Sequence, residues 1–258
     1  MFGFRTSLPR RTELALGLAG LLLFLGLWHV ASVSGWVKQQ FLPTPFAVVE
    51  AFGRLFTERN FAGDIAISVG RVWLAFLLSV IVAVPLGLLM SCYRAVGAFV
   101  EPFVDFIRYL PVPAMVPLLI IWFGVGEASK IAVLWMGTFF QLVLLISDDT
   151  KRVPAEYVES GFTLGASQWQ VIRDIVFPAA LPNIVDNLRI TLGWCWTYLI
   201  IAEIVAASSG IGHVIWSLRR FVKTPEVMAG IVAIGIIGLL TDQAFRWAHR
   251  RRFRYLER

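Results

Sequence analysis

Charge is scarce in this 258-residue chain: Asp, Glu, Lys and Arg make up 16% of it, against about 25% in a typical soluble domain. Cysteine is scarcer still. Cys92 and Cys195 lie in apolar sequence and form no CxxC pair, which excludes a disulfide framework and a structural zinc site. No stretch fits GxxxxGK[ST]. The run Gly124-Val125-Gly126-Glu127-Ala128-Ser129-Lys130 comes closest, but no Gly precedes Lys130, so the chain has no P-loop for ATP. No Gly/Ser-rich linker, internal repeat or low-complexity tract divides the chain, which reads as one domain, 1–258. What is abundant is apolar. Hydrophobic residues reach 58% and mean hydropathy is +0.74, which excludes a disordered chain, a nucleic-acid-binding domain and an ordinary soluble enzyme.

The apolar residues come in blocks near the ~20 residues needed to cross a bilayer. Six spans are expected, at about 14–33, 65–90, 103–123, 131–147, 188–207 and 227–247, giving an all-α polytopic membrane protein. The first block is longer than the apolar core of a signal peptide and is read as a retained span. The net charge of +6 sits beside these blocks, where it sets orientation. With the N-terminus in the cytoplasm, the inner segments hold thirteen basic residues, among them Arg5, Arg10, Arg11, Arg94, Lys151, Arg152, Arg173, Arg246, Arg254 and Arg258. The outer ones hold seven: Lys38, Arg54, Arg59, Lys130, Arg219, Arg220 and Lys223. Both termini are therefore expected inside.

Two connecting stretches are long. Residues 34–64, outside, carry the Leu42-Pro43-Thr44-Pro45 turn and then an apolar-periodic run over 46–56 that predicts a short helix. Residues 148–187, inside, predict two. Pro154 suits a first helical turn, Gly165 can take the positive φ that ends a helix, and Ser167 followed by Gln170 has capping-box spacing. Trp169, Ile172 and Val176 fall on one side of the second helix, which is expected to stop at Pro178. On pattern alone, this pair reads equally as an amphipathic element lying on lipid headgroups.

Within this loop, Glu159-Ser160-Gly161, Gly165, and Ile175-Val176-Phe177-Pro178 stand in the register of the EAA loop of binding-protein-dependent ABC transporter permeases, which the chain resembles. Glu159, Gly165, Ile175 and Pro178 match; Ser160, Gly161 and Phe177 depart. Helix propensity alone predicts that Gly161 in place of Ala loosens the first helix by about 1 kcal/mol. The turn at 42–45, Pro117–Glu127 followed by Ser129-Lys130-Ile131, and Ala202-Glu203-Ile204 through Ser208-Ser209-Gly210-Ile211-Gly212 are similar to the nitrate/sulfonate/taurine/bicarbonate subfamily.

The resemblance implies a type I importer permease in a bacterial inner membrane. It implies a second permease copy, identical or homologous, two cytoplasmic ATPase subunits that hold ATP and Mg, and an extracytoplasmic binding protein that delivers a small anion. Glu159, Gly161, Gly165, Ile175 and Pro178 would then form the coupling element. This chain itself would hold no metal or cofactor and perform no catalysis.

Elsewhere, Ala75, Ser79, Ala83, Gly87 and Ser91 recur every fourth position, a small-residue face that lets another helix approach. Pro85 is expected to kink that span. Glu203 lies inside the fifth span, where a carboxylate is costly and faces a cavity or a partner. Two readings stand: it lines the pathway or gate with Trp194, Trp196 and Tyr198, or it anchors a hydrogen-bond network near the outer end. Arg108, Pro111 and Pro113 mark an irregular stretch, with Arg108 snorkelling to the inner interface. Asp242 is spaced to pair with Arg246. Two rival classes stand beside this one. A proton-coupled secondary transporter would rest on Glu203 and Asp242. An intramembrane serine protease would rest on Ser209 and His213, but Ala207 stands where that chemistry needs Gly.

Overall fold

The computed structural model describes residues 8–253; Arg5, Arg254 and Arg258, which contribute to the charge count, lie outside the described residues. By internal contacts the chain divides into two compact units, one comprising residues up to Asn60 with Ile215–Ile231, the other Phe61–Val214 with Val232 onward.

The first unit starts with α1 (Arg10–Val33), whose leucines and phenylalanine are broadly exposed. Its end is pinned to the proline turn: Ser32 Oγ donates to the Leu42 carbonyl at 2.7 Å and Trp28 Nε1 to that of Pro43 at 2.9 Å. Thr44 then caps α2 (Pro45–Glu58), its hydroxyl accepting from the Ala47 amide at 3.2 Å, with Pro45 at the position where a missing N–H is harmless. Val48, Ala51 and Leu55 bury one face of α2. Arg54 bridges Glu50 at 2.7 Å and Glu226 at 3.4 Å.

The second unit is built on three long helices, α3 (Phe61–Cys92), α6 (Glu127–Lys151) and α9 (Phe177–Ala206). The small-residue face of α3 is what lets α6 come close. Ala75, Ser79, Ala83 and Gly87 are buried, and a β-carbon on Gly87 would stand 2.8 Å from the Val143 carbonyl. Ser79 and Thr138 hydroxyls meet at 3.1 Å across the same seam. Ser91, the last of the series, is half-buried and lines a cavity beneath the 152–176 loop. Val104, Phe139, Phe140, Leu142, Val143, Ile146, Ala180 and Ile184 fill the core around the seam. The helix continues through Pro85.

Between α3 and α6 the chain makes α4 (Arg94–Arg108) and α5 (Val112–Phe123), bent by 103° at residues 109–111. This is where the third span differs from its expected form. Its helix starts at Arg94, not near 103, and is interrupted. Pro111 and Pro113 remove amide donors, and Leu110, preceding a proline, is pushed away from helical geometry. Among the described residues, five helices are long and apolar enough to cross a membrane, and the α4–α5 pair makes a sixth if the two count as one broken span.

The 152–176 loop holds α7 (Ala155–Thr163) and α8 (Gln168–Gln170), followed by a π turn, Val171–Val176, that runs directly into α9. The expected stop at Pro178 is corrected here: Pro178 lies in the first turn of α9, and helix continues past it and past Pro182. The π turn widens the backbone immediately before this proline.

Candidate functional site

Three assemblies of side chains in the second unit bear on function. The first is the loop. α7 ends in a full Schellman closure: the Ala166 amide donates to the Gly161 carbonyl at 3.0 Å and the Gly165 amide to that of Phe162 at 2.9 Å, with Gly165 at φ +82°. One residue later the capping box is complete, Ser167 N donating to Gln170 Oε1 at 2.8 Å while Ser167 Oγ accepts from the Gln170 amide at 3.4 Å. Two caps back to back fix the angle between the short helices. Gly161 is buried, and a β-carbon there would stand 2.5 Å from Ile175 Cδ1 and 3.2 Å from Val171 Cγ2. The propensity argument for Gly161 is therefore incomplete: the missing side chain is also what lets α7 lie against the π turn. Outward, the loop presents Tyr157, Phe162, Leu164 and Trp169, with Leu164 87% exposed. The Glu159 carboxylate is exposed and has no ion-pair partner among the described residues. Ile175 is half-buried and Pro178 exposed.

The second assembly surrounds Glu203, which is fully buried. Its Oε1 accepts from Arg71 Nη1 and from Ser68 Oγ, both at 2.7 Å, and its Oε2 from the Gly212 amide at 2.7 Å. Arg71 also holds Glu127 through two parallel bonds of 2.6 Å, and its Nη1 donates to the Ser209 carbonyl at 2.9 Å. Lys130 reaches Glu127 at 2.8 Å, and Asp64 accepts from the Gly210 amide at 2.7 Å. Gly210, at φ +105°, has the Glu203 carboxylate where a β-carbon would go. The segment 208–212 thus wraps a carboxylate that is itself neutralised by a bidentate-capable arginine. Arg71 is a functional residue that the sequence analysis above does not single out. The signal was present: Asp64, Ser68 and Arg71 continue, at helical spacing, the same face as Ala75, Ser79, Ala83 and Gly87. Of the two residues of the protease reading, Ser209 belongs to this network: its Oγ accepts from Arg71 Nη2 at 3.2 Å.

The third assembly is a cavity of about 290 Å³ at the α4–α5 break. It is lined by Ile107, Arg108, Leu110 and Val112 from the break, Met136, Gly137, Phe140 and Gln141 from the middle of α6, and Trp194, Thr197 and Tyr198 from α9. Of the four pathway candidates, Trp194 and Tyr198 line it. Trp196, buried on another face of α9, lies near Gly238 of the last long helix (Thr224–Arg252), and Glu203 belongs to the Arg71 network. Gly137 gives the Tyr198 ring its place against α6, for a β-carbon there would collide with the ring. Arg108, expected at an interface, lines the cavity, with Nε 3.0 Å from Asp105 Oδ1. Asp242 pairs with Arg246 at 2.8 Å and with Arg189 at 3.5 Å. No cluster of His, Cys, Asp and Glu suited to a metal ion occurs among the described residues.

A bundle of long apolar helices, one of them broken beside a polar cavity, with a doubly capped helix pair displayed at one end, is the build of a membrane transport subunit. Residues 79–254 match the family described as binding-protein-dependent transport system inner membrane component. The chain is 34% identical over 235 residues to the protein of Bacillus subtilis (strain 168) named as an aliphatic sulfonates transport permease, SsuC, spanning 90% of this chain and 85% of that one. It is 33% identical over 253 residues to the taurine transport system permease protein TauC of Escherichia coli (strain K12), spanning 96% and 91%. In fold it is similar to a chain of the MetNI methionine ABC transporter in an inward-facing conformation, with a TM-score of 0.66 at 18% identity over 74% of this chain and 95% of that one. The chain belongs to the family of binding-protein-dependent transport system inner membrane components. It is the multi-pass permease subunit of an ABC importer; ATP is used by a separate ATPase subunit, and a substrate-binding protein is the other partner the family implies.

Proposed function

We propose that this permease imports a small sulfonate-type anion, works as a pair of copies, and takes its drive from ATPase subunits docked on the 155–176 helix pair. The docking reading is carried by one observation. The loop is closed by two adjacent caps, yet it exposes Tyr157, Phe162, Leu164 and Trp169 together with an unpaired Glu159. An apolar patch of this kind on a capped, pre-formed element suits a protein cleft. Glu159 is then the charge that meets a basic group of the ATPase, and the loop lies on the cytoplasmic side with both termini. The cargo reading is supported by the relatives named for sulfonates and taurine.

Co-purification of the ATPase with the permease, combined with substrate-stimulated hydrolysis, tests the docking. Glu159→Ala leaves the bundle inserted and weakens association or uncouples hydrolysis. A buried charge pair truncated on one side costs ~2–5 kcal/mol, a rim pair far less. Gly165→Val is the severer change, because a β-branched residue at φ +82° is strained by ~1–3 kcal/mol and opens the Schellman closure. If both variants assemble, hydrolyse and transport like the parent, the loop is not the coupling element.

A further inference from the structure

We infer that the cavity at the α4–α5 break is an oxyanion site, with Arg108 as its charge and Gln141, Thr197 and Tyr198 as its hydrogen-bond donors. For its physiological cargo this rests on the importer reading above; for its chemistry it stands on the lining alone. The lining carries one cation and no carboxylate. Gln141, Thr197 and Tyr198 make no side-chain hydrogen bond to any described residue. Three uncommitted polar groups with an arginine around one concavity are a recognition site in composition, since polar groups at membrane depth otherwise find protein partners.

Arg108 is only partly engaged. Its Nε faces Asp105 and its Nη2 donates to the Tyr109 hydroxyl at 3.0 Å, which leaves Nη1 free to donate. Its side chain remains about one quarter exposed. A guanidinium anchored by one edge and free on the other suits a planar or trigonal oxyanion head, which accepts parallel N–H bonds. The apolar wall of Ile107, Leu110, Met136 and Phe140 suits a short carbon body. At about 290 Å³ the space is at the lower edge of the ~300–1,000 Å³ usual for small-molecule pockets, which favours a ligand of few atoms. The site is also at depth: Gln141 is fourteen residues into α6, about 21 Å from its Glu127 end, near the middle of the helix.

Asp105 makes the inference testable in both directions, because it competes with the ligand for Arg108. The experiment is titration of the purified permease–ATPase complex, without binding protein and at constant ionic strength, with methanesulfonate, followed by saturation transfer to its methyl resonance. Arg108→Gln is expected to weaken binding about tenfold or more, the scale of a lost charge-assisted bond. Thr197→Val is expected to weaken it less. Asp105→Asn is expected to tighten it. Absence of binding in the parent complex, binding unchanged by Arg108→Gln, or an equal loss in Asp105→Asn overturns the site. Uptake of labelled taurine into vesicles holding the complete transporter separates the two readings. Arg108-dependent binding without any uptake by the parent would sink the cargo reading and leave the site standing; uptake undiminished in Arg108→Gln sinks the site and leaves the cargo.

Discussion

Glu203 shows what a single carboxylate commits a membrane protein to. Burying a charge costs several kcal/mol unless each of its lone pairs is met, and here three donors meet it. The expected order of damage follows from who is left unpaired. Arg71→Met strands a buried carboxylate and is expected to cost ~3–5 kcal/mol, read as a lowered unfolding midpoint in detergent. Glu203→Gln is expected to be milder, because Arg71 keeps Glu127 and the amide oxygen still accepts. The double change Arg71→Met with Glu203→Leu is expected to recover part of the loss. Equal midpoints for parent and Arg71→Met would mean that the network carries no stability. Sequence alone exposed the cost of Glu203 but not its partner: Arg71 is 132 positions away, and no local pattern pairs residues across that distance.

At the scale of elements, legibility tracked how local the physics is. Caps are written within three or four residues, so the turn at Gly165 and the box at Ser167–Gln170 could be read directly from the sequence. Six apolar blocks are a matter of counting. Proline is ambiguous because it opens helices as well as closing them, and Pro178 stands in the first turn of α9. The break at 109–111 was half legible: its prolines announce irregularity but give no angle. The α3–α6 seam carries its own prediction. Gly87→Leu drives a side chain into the Val143 carbonyl and is expected to lower the midpoint of unfolding by more than Gly70→Leu in the same helix, where a β-carbon meets nothing within 4 Å. Similar midpoints for the two would mean the helices do not depend on close approach there.

For the whole molecule, the charge distribution sets an orientation that reporters can test. Fusions after Arg258 and within 46–60 are expected to report opposite sides of the membrane, the former inside. Same-side reporting would remove the six-span topology and with it the cytoplasmic position of the 152–176 loop. The leucines along α1 are exposed, which suits an apolar surface that meets lipid or a second copy. Single-chain patterning cannot distinguish those two surroundings, since both reward the same residues.

The continuity of α9 with its π turn has a mechanical side. From Phe177 to Thr197 is twenty residues, a stiff rod of about 30 Å. Its near end is clamped to the displayed helix pair, and its far portion carries Trp194, Thr197 and Tyr198 into the cavity wall. Pivoting such a rod by five degrees at the near end sweeps the far side chains through roughly 2.6 Å. That is close to the length of one hydrogen bond, so a tilt of a few degrees at the near end suffices to make or break a grip at the other end of the lever.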